Sequence, residues 1–373
     1  MELDPSSILD YINLLLKSSF EIGPIRPPNE GGGNSLLIRV TRNCPWSQCT
    51  FCYGTPYDRK RFQLRSIYEV KVDIDTVKMI TEWLSMASYE LGFQGEITSR
   101  FIHVLFSYYP ILKYNYSLIC TANWLLSGSK TVFIQDADSL IMPTSDLVEV
   151  IRYLRKVFPS IVRVTSYARM KTLNIKSIED LKEIRRSGLN RLHVGLESGD
   201  DLVLRSIHKG VTSSEHIEGG RKAIEAGFEL SLYVMPGLGG KSRYKEHALN
   251  TAKILNEINP HYIRVRTLVP RPGTPLHNDY VNGVFKLLSP HELLEEIKIL
   301  VENLNVESRL CFDHFINPSY KVDGGIKPLF RQDYEGYKLP DEKNEVLDTI
   351  RYGLTINEAK FIHVKELINL PSI

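Results

Sequence analysis

The sequence predicts an α/β fold in which parallel strands alternate with helices, and three observations predict it. Between about residues 35 and 310, short and almost wholly apolar runs rich in β-branched residues recur. Amphipathic segments with their own start signals separate them, and glycines stand where those segments end. Strand–helix–strand succession implies right-handed crossovers and a parallel sheet. Strands apolar on both faces suit a sheet covered by helices. Six strand–helix units are countable, fewer than a closed barrel needs, so a six-stranded partial barrel and an open doubly wound sheet both satisfy the pattern. In either, function gathers at the carboxyl ends of the strands.

The chain opens on MELDPSSILDYINLLLKSS, which reads as an amphipathic helix. Asp4 is its expected cap, Pro5 lies in its first turn, and Ile8, Ile12, Leu15 and Leu16 form one face. Strands are expected at Leu36–Thr41, Thr131–Gln135, Ile161–Tyr167, Arg191–Leu196, Phe228–Val234 and His261–Leu268. The helices between them open on reciprocal hydroxyl–carboxylate caps: Ser66/Glu69, Ser177/Asp180, Thr212/Glu215 and Ser289/Glu292, the last with Pro290 at its first position. Gly188 and Gly227 stand where helix ends want a positive φ. Residues 92–130 break the rhythm with periodic apolar positions and several aromatics, and read as a helical insert. The expected division is therefore 1–34, N-terminal helix and linker; 35–305, barrel; and 306–373, a C-terminal extension serving as a lid.

Composition sets the outer limits. Of 373 residues, 43% are hydrophobic and 24% charged, so a packed core is attainable and disorder is not indicated. A net charge of +2, with no basic block beyond Arg59-Lys60-Arg61, gives little ground for duplex nucleic acid. No apolar run reaches the length of a membrane span, and the first residues lack a basic start and small-residue cleavage site. A cytoplasmic protein is the expectation.

Three of the five cysteines, Cys44, Cys49 and Cys52, fall within nine residues, in V-T-R-N-C-P-W-S-Q-C-T-F-C-Y-G directly after the first strand. An odd count clustered in this way argues for metal binding over a secreted disulfide framework. Three thiolates from one loop hold three corners of a cubane [4Fe–4S] cluster and leave the fourth iron open to a chelating ligand. A structural zinc site would want a fourth protein ligand, for which Cys120, Cys311 or a histidine is the reserve.

Past the cysteines, the sequence resembles the radical S-adenosylmethionine superfamily. The likeness is to the branch holding oxygen-independent coproporphyrinogen oxidase, the Elongator catalytic subunit and the methylthiotransferases. That family carries C-x3-C-x-Φ-C after its first strand, with Φ aromatic. Phe51 takes that place here, and Pro45, Trp46, Ser47 and Gln48 make the first gap one residue longer. The likeness covers roughly residues 35–280. It runs through F-I-Q-D-A-D-S-L, R-L-H-V-G-L-E-S-G-D-D-L-V-L-R-S-I-H-K-G, V-M-P-G-L-G-G and L-V-P-R-P-G-T-P-L in the family's order.

The resemblance implies a partial (β/α)6 TIM-type barrel with a [4Fe–4S] cluster on Cys44, Cys49 and Cys52. S-adenosylmethionine would lie beside Phe51, with Asp136 toward its amine, Glu197 and Ser198 toward its ribose or methionine, and Lys209 toward its carboxylate. It further implies a flavodoxin- or ferredoxin-type one-electron donor, cleavage of the cofactor to a 5′-deoxyadenosyl radical, and hydrogen abstraction from a substrate. A small molecule is expected ahead of nucleic acid. The same chemistry on tRNA or protein, or a non-catalytic zinc- or cluster-binding protein, are the alternatives. Two further cysteines are too few for a second cluster. The flanking lengths leave no room for a cobalamin-binding or acetyltransferase domain, so a compact one-cluster enzyme is expected.

Other residues have plainer readings. Gln135, Asp136 and Asp138 end the second strand, where an acidic side chain also caps the next helix. His193 reads equally as a hydrogen-bonded core residue, and Lys209 as a helix C-terminal lysine. Tyr167, Arg169 and Tyr233 point toward the barrel mouth on a period-two reading. Arg264 and Arg266 share one face of the sixth strand, where arginine pairs with a carboxylate of protein, cofactor or substrate. Gly240-Lys241-Ser242 lacks the upstream glycine of a phosphate-binding loop, Met235 standing in its place.

Overall fold

A computed structural model describes residues 7–24, 35–52 and 60–370. All six expected strands form, and the class is α/β with a mostly parallel sheet among helices. In chain order the strands are β1 (Leu36–Arg39), β2 (Thr131–Gln135), β3 (Arg163–Ala168), β4 (Leu189–Glu197), β5 (Glu229–Val234) and β6 (Tyr262–Val265), then β7 (Arg309–Cys311) and β8 (Tyr337–Lys338). The chain divides into two compact units.

The first unit comprises Met1–Arg42, Gln63–Ser166 and Arg186–Asn190. Its strands run parallel, with Leu36 beside Val132 and Val132 beside Val164, and Leu36, Ile38, Phe133 and Ile134 are fully buried. Helix Ile67–Glu90 opens on the Ser66/Glu69 capping box. Within residues 92–130 stand helices Ser99–Tyr108 and Tyr116–Leu126, capped by Thr98 and Asn115. Helix Ile8–Lys17 begins after Ser7 and buries Tyr11, Ile12 and Leu15; Asp4 and Pro5 lie outside the described residues. A two-residue ribbon, Thr41–Arg42 against Gln63–Leu64, closes the base of the segment that carries the cysteines.

The second unit comprises Asn43–Phe62, Tyr167–Arg185 and Arg191–Ile373. Leu192 pairs with Leu230, Leu232 with Ile263, and Ile263 with Leu310, so β4 to β7 run parallel. β7 is missing from the six-strand expectation because it is three residues long and has no β-branched side chain. β8 adds antiparallel to it, a hairpin forms from Ser319–Val322 and Gly325–Pro328, and helix Lys343–Thr355 packs on helix Pro290–Asn303. Successive strand residues alternate faces. Leu192, Val194 and Leu196 therefore share one face of β4, and Arg191, His193, Gly195 and Glu197 the other. This second face is polar and still buried: His193, Ser231 and Arg264 are each at most 1% exposed.

The caps behave largely as expected. Thr212/Glu215 and Ser289/Glu292 are complete boxes. Ser177 accepts from the Asp180 N–H at 3.0 Å and donates to its carboxylate at 2.6 Å. Gly188 and Gly227 take φ of 119° and 89°. Among the described residues no helix is long and apolar enough to cross a membrane. The Ser289 hydroxyl accepts from the Glu292 N–H at 3.3 Å and donates to Glu358 at 2.6 Å. Ser289→Ala should cost about 1–2 kcal/mol, read as a lower urea midpoint with an unchanged slope.

Candidate functional site

The cysteine loop is built into the second unit by its own backbone. Asn43 and Ser47 adopt left-handed φ of 67° and 51°, and the turn at Ser47 absorbs the extra residue between Cys44 and Cys49. The Trp46 indole N–H donates to the His208 carbonyl at 2.7 Å, and the Arg169 guanidinium lies 5.2 Å from its ring. Trp46 also fills the space beside Gly210, where a Cβ would collide with the ring and φ is 72°. The Thr50 N–H donates to Ile207 at 2.9 Å, and its carbonyl accepts from Leu276 at 3.1 Å. Phe51 packs on Val203, Ile207, Leu238, Leu268 and Leu276, and the Lys209 ammonium stands 5.8 Å from its ring.

Electrostatics favour charge at the Cys49 thiol. A hydrogen bond from Cys52 holds the Cys49 thiol below its ordinary range against the effect of burial, and the positive charges of Lys209 and Arg169 act in the same direction. Cys52, the donor of that bond, is pushed well up by it, by desolvation of the thiol and by the neighbouring Cys49 charge. One proton shared by two thiols is what a soft metal displaces on binding. Cys44 accepts from the Ser47 N–H at 3.4 Å. Among the described residues, no three His, Cys, Asp or Glu side chains are gathered as a ready ligand set. The donors nevertheless fit a [4Fe–4S] cluster in number, softness and surrounding charge. Cys311 does not extend the set: burial pushes its thiol up to about 12, and it donates to the Tyr334 carbonyl at 3.5 Å.

Facing these thiols are Glu197 and Lys209. Glu197 sits at the end of β4 after a bulge, with a φ of 62°. Its carbonyl accepts from the Met235 N–H at 3.0 Å and lies 3.3 Å from His247 Nε2. His247 Nδ1 is in turn 2.5 Å from the Glu296 carboxylate, whose other oxygen accepts from the Gly237 N–H at 2.7 Å. This buried chain holds the strand end in its unusual conformation. The Lys209 ammonium donates to Glu197 at 2.9 Å. Burial works against its charge, but the Glu197 carboxylate and the Cys49 and Cys52 sulfurs more than offset this and raise its pKa. The pair has room only because residue 195 is glycine: a Cβ there would collide with the Glu197 carboxylate and stand 2.8 Å from the Lys209 nitrogen.

Other expected residues are engaged elsewhere. In the first unit, the Asp136 carboxylate is paired with Arg39 at 2.7 Å, and Arg39 also holds Glu21 at 3.0 Å. Gln135 accepts from the Gly23 N–H at 2.8 Å. Asp138 is fully buried ahead of the short turn Ser139–Ile141. The Ser198 hydroxyl accepts from the Asp200 N–H at 3.0 Å, which starts the next helix. Tyr167, His193 and Tyr233 form a triad with ring centroids 5.5–6.4 Å apart. Sequence reading missed Gly195, Trp46, His247 and Glu296. A carboxylate and a histidine spaced on separate helices carry no local signal, whereas the glycine two before Glu197 was visible as a gap on a crowded face.

Residues 124–252 match the family model of the radical SAM superfamily. The match begins after the cysteine loop and includes Asp136, Glu197, Ser198 and Lys209. The chain is 27% identical over 177 residues to the heme chaperone HemW of Bacillus subtilis (strain 168), a match covering 47% of this chain and 46% of that one. It is 27% identical over 146 residues to a biotin synthase of Clostridium botulinum (strain Loch Maree / Type A3), covering 39% and 43%. Methylornithine synthase (PylB) is a solved neighbour at 15% identity and a TM-score of 0.42, covering 82% of this chain and 72% of its own. The chain thus spans less than half the length of the curated relatives it matches. The superfamily works with a [4Fe–4S] cluster and S-adenosylmethionine.

Gly195→Ala tests the tight pocket directly. It should weaken S-adenosylmethionine binding by about tenfold or more, measured by equilibrium dialysis, with an unaltered far-ultraviolet circular dichroism spectrum. An unchanged affinity would mean that the Glu197–Lys209 pair lies outside the cofactor site.

Proposed function

We propose that this chain is a radical S-adenosylmethionine enzyme acting on a small-molecule substrate, with Cys44, Cys49 and Cys52 as the ligands of its [4Fe–4S] cluster. The observation that carries this reading is the grouping of the Cys49 and Cys52 thiols with Lys209 and Glu197 in one charged locus. When bound, cluster and cofactor supply one-electron cleavage of the C5′–S bond and a 5′-deoxyadenosyl radical that abstracts hydrogen.

The chain's own part is positioning. Lys209, kept charged, offers itself to the cofactor's methionine carboxylate, and Glu197 accepts from its hydroxyl or amine donors. Phe51 backs Lys209, and Ser198 orders the turn behind Glu197. Asp136 is left out of this set because Arg39 already holds its carboxylate. Residues 35–305 form the catalytic barrel, and a flavodoxin- or ferredoxin-type protein delivers the electron. The near-neutral chain, at +2, favours a small molecule over a nucleic acid. A second reading is favoured by the HemW likeness: a cluster protein that binds its ligand without turning it over.

Electron paramagnetic resonance of the anaerobically reconstituted, dithionite-reduced protein should show a [4Fe–4S]⁺ signal that changes on adding S-adenosylmethionine, with 5′-deoxyadenosine accumulating. Cys44→Ala, Cys49→Ala and Cys52→Ala should each abolish both. A cluster signal indifferent to S-adenosylmethionine would favour the second reading, and zinc in place of iron would overturn both.

A further inference from the structure

The polar face of β4 to β7 holds more positive charge than it neutralises. Arg264 on β6 and Arg266, one residue past its end, share a single carboxylate. Asp313 Oδ2 accepts from Arg264 Nη1 at 2.8 Å, and its Oδ1 accepts from Arg266 Nη1 at 2.8 Å. Asp313 is fully buried, and burial is opposed by the two guanidiniums, which hold its carboxyl below the usual range. Two cations against one anion leave one formal charge over.

The neighbours do not supply the missing negative charge. Arg191 is already paired with Glu229 at 2.8 Å. The Cys311 thiol is protonated and His314 neutral, the first pushed up to about 12 and the second down to about 4, both by burial first. Aromatic rings also lie against the arginines. Arg264 lies 4.0 Å from the Tyr334 ring and 5.0 Å from that of Tyr262, and Arg266 lies 5.0 Å from the Tyr233 ring.

The unsatisfied donors are equally specific. Arg264 spends Nε on Ser231 at 3.2 Å and Nη1 on Asp313 and the Tyr334 carbonyl. Arg266 spends Nη1 on Asp313 and the Val265 carbonyl. The Nη2 groups of both are buried and have no hydrogen-bond partner. A buried charged donor left unpaired is costly, and here two such donors belong to arginines that share one carboxylate. Access is graded: the Arg266 side chain is 10% exposed and that of Arg264 1%. The location is pertinent, since Glu197 pairs across the sheet with Val234, and the Arg266 N–H donates to that Val234 at 2.9 Å.

We propose that Arg266, with Arg264 behind it, binds a carboxylate group of the substrate on the polar face of β6, one strand beyond the end of β5 that borders Glu197. A monoanionic, planar acceptor matches the single uncompensated charge and the planar Nη2 donors. A phosphate dianion would overshoot the charge and bring more oxygens than there are donors. The proposal deepens the enzyme reading above and rests on it for the word substrate, but the anion site itself is testable without the cluster.

The test uses acetate, propionate and inorganic phosphate as probes, each titrated into the full chain before and after cluster reconstitution, with the thermal midpoint as readout. Acetate and propionate should raise the midpoint saturably in both forms and phosphate should not. Arg266→Gln should weaken the carboxylate effect at least about tenfold. In this variant S-adenosylmethionine should still alter the reduced cluster's spectrum. Should Arg266→Gln fail to fold, Arg266→Lys keeps the charge beside Asp313 while losing the planar fork, and should show the same weakening. A midpoint that no carboxylate moves, or that phosphate moves equally, would overturn the proposal and leave ordered water as the occupant. Loss of the S-adenosylmethionine response in the variant would overturn it differently, by assigning the arginine to the cofactor. If carboxylates bind but the reduced protein ignores S-adenosylmethionine, the enzyme reading fails while the anion site stands.

Discussion

The buried ion pair between Lys209 and Glu197 is the contact on which the site depends, because it joins segments that otherwise have little reason to meet. Glu197 ends a strand in a left-handed conformation that a non-glycine residue holds only when its surroundings insist. Those surroundings are the His247–Glu296 pair, the Met235 amide and the bulge before it. Lys209 closes the helix that follows and borders the Phe51 ring and the Cys49 thiol. Removing either charge would leave the other buried beside sulfur with no partner, a costlier state than never having formed the pair.

Much of the architecture was legible because it is written locally. A capping box needs two residues three apart, and a buried parallel strand needs a run of apolar, β-branched side chains. Both signals survive in a single window, so Ser66, Thr212 and Ser289 mark helix starts and six strands fall close to where they were expected. β7 escaped because Arg309-Leu310-Cys311 offers neither length nor branching; neighbouring β6 and β8 select it. Tertiary pairing overrode weak propensity there.

The site divides in the same way. Three cysteines in nine residues announce themselves, and a carboxylate at the end of an apolar strand is conspicuous. What could not be read is which polar residues are already committed. Asp136 stands in a plausible place at the end of β2, but Arg39, almost a hundred residues earlier, holds its carboxylate. Ser198 is drawn into starting a helix. Gly195 is informative for the opposite reason, since its contribution is the volume it does not fill.

The Trp46 anchorage bears on how the cysteine segment comes by its shape. A stretch lengthened by one residue would ordinarily arrive at a metal as a loose tether, and some of the binding free energy would go into ordering it. Here the indole–His208 bond, the Thr50 amide and carbonyl, and the packing of Phe51 give Asn43–Cys52 its conformation from protein contacts alone. Tolerance of the longer spacing is thus a property of the receiving surface at Ile207–Gly210. A graft of the nine-residue cysteine segment onto another scaffold would carry the donors across and leave behind what shapes them.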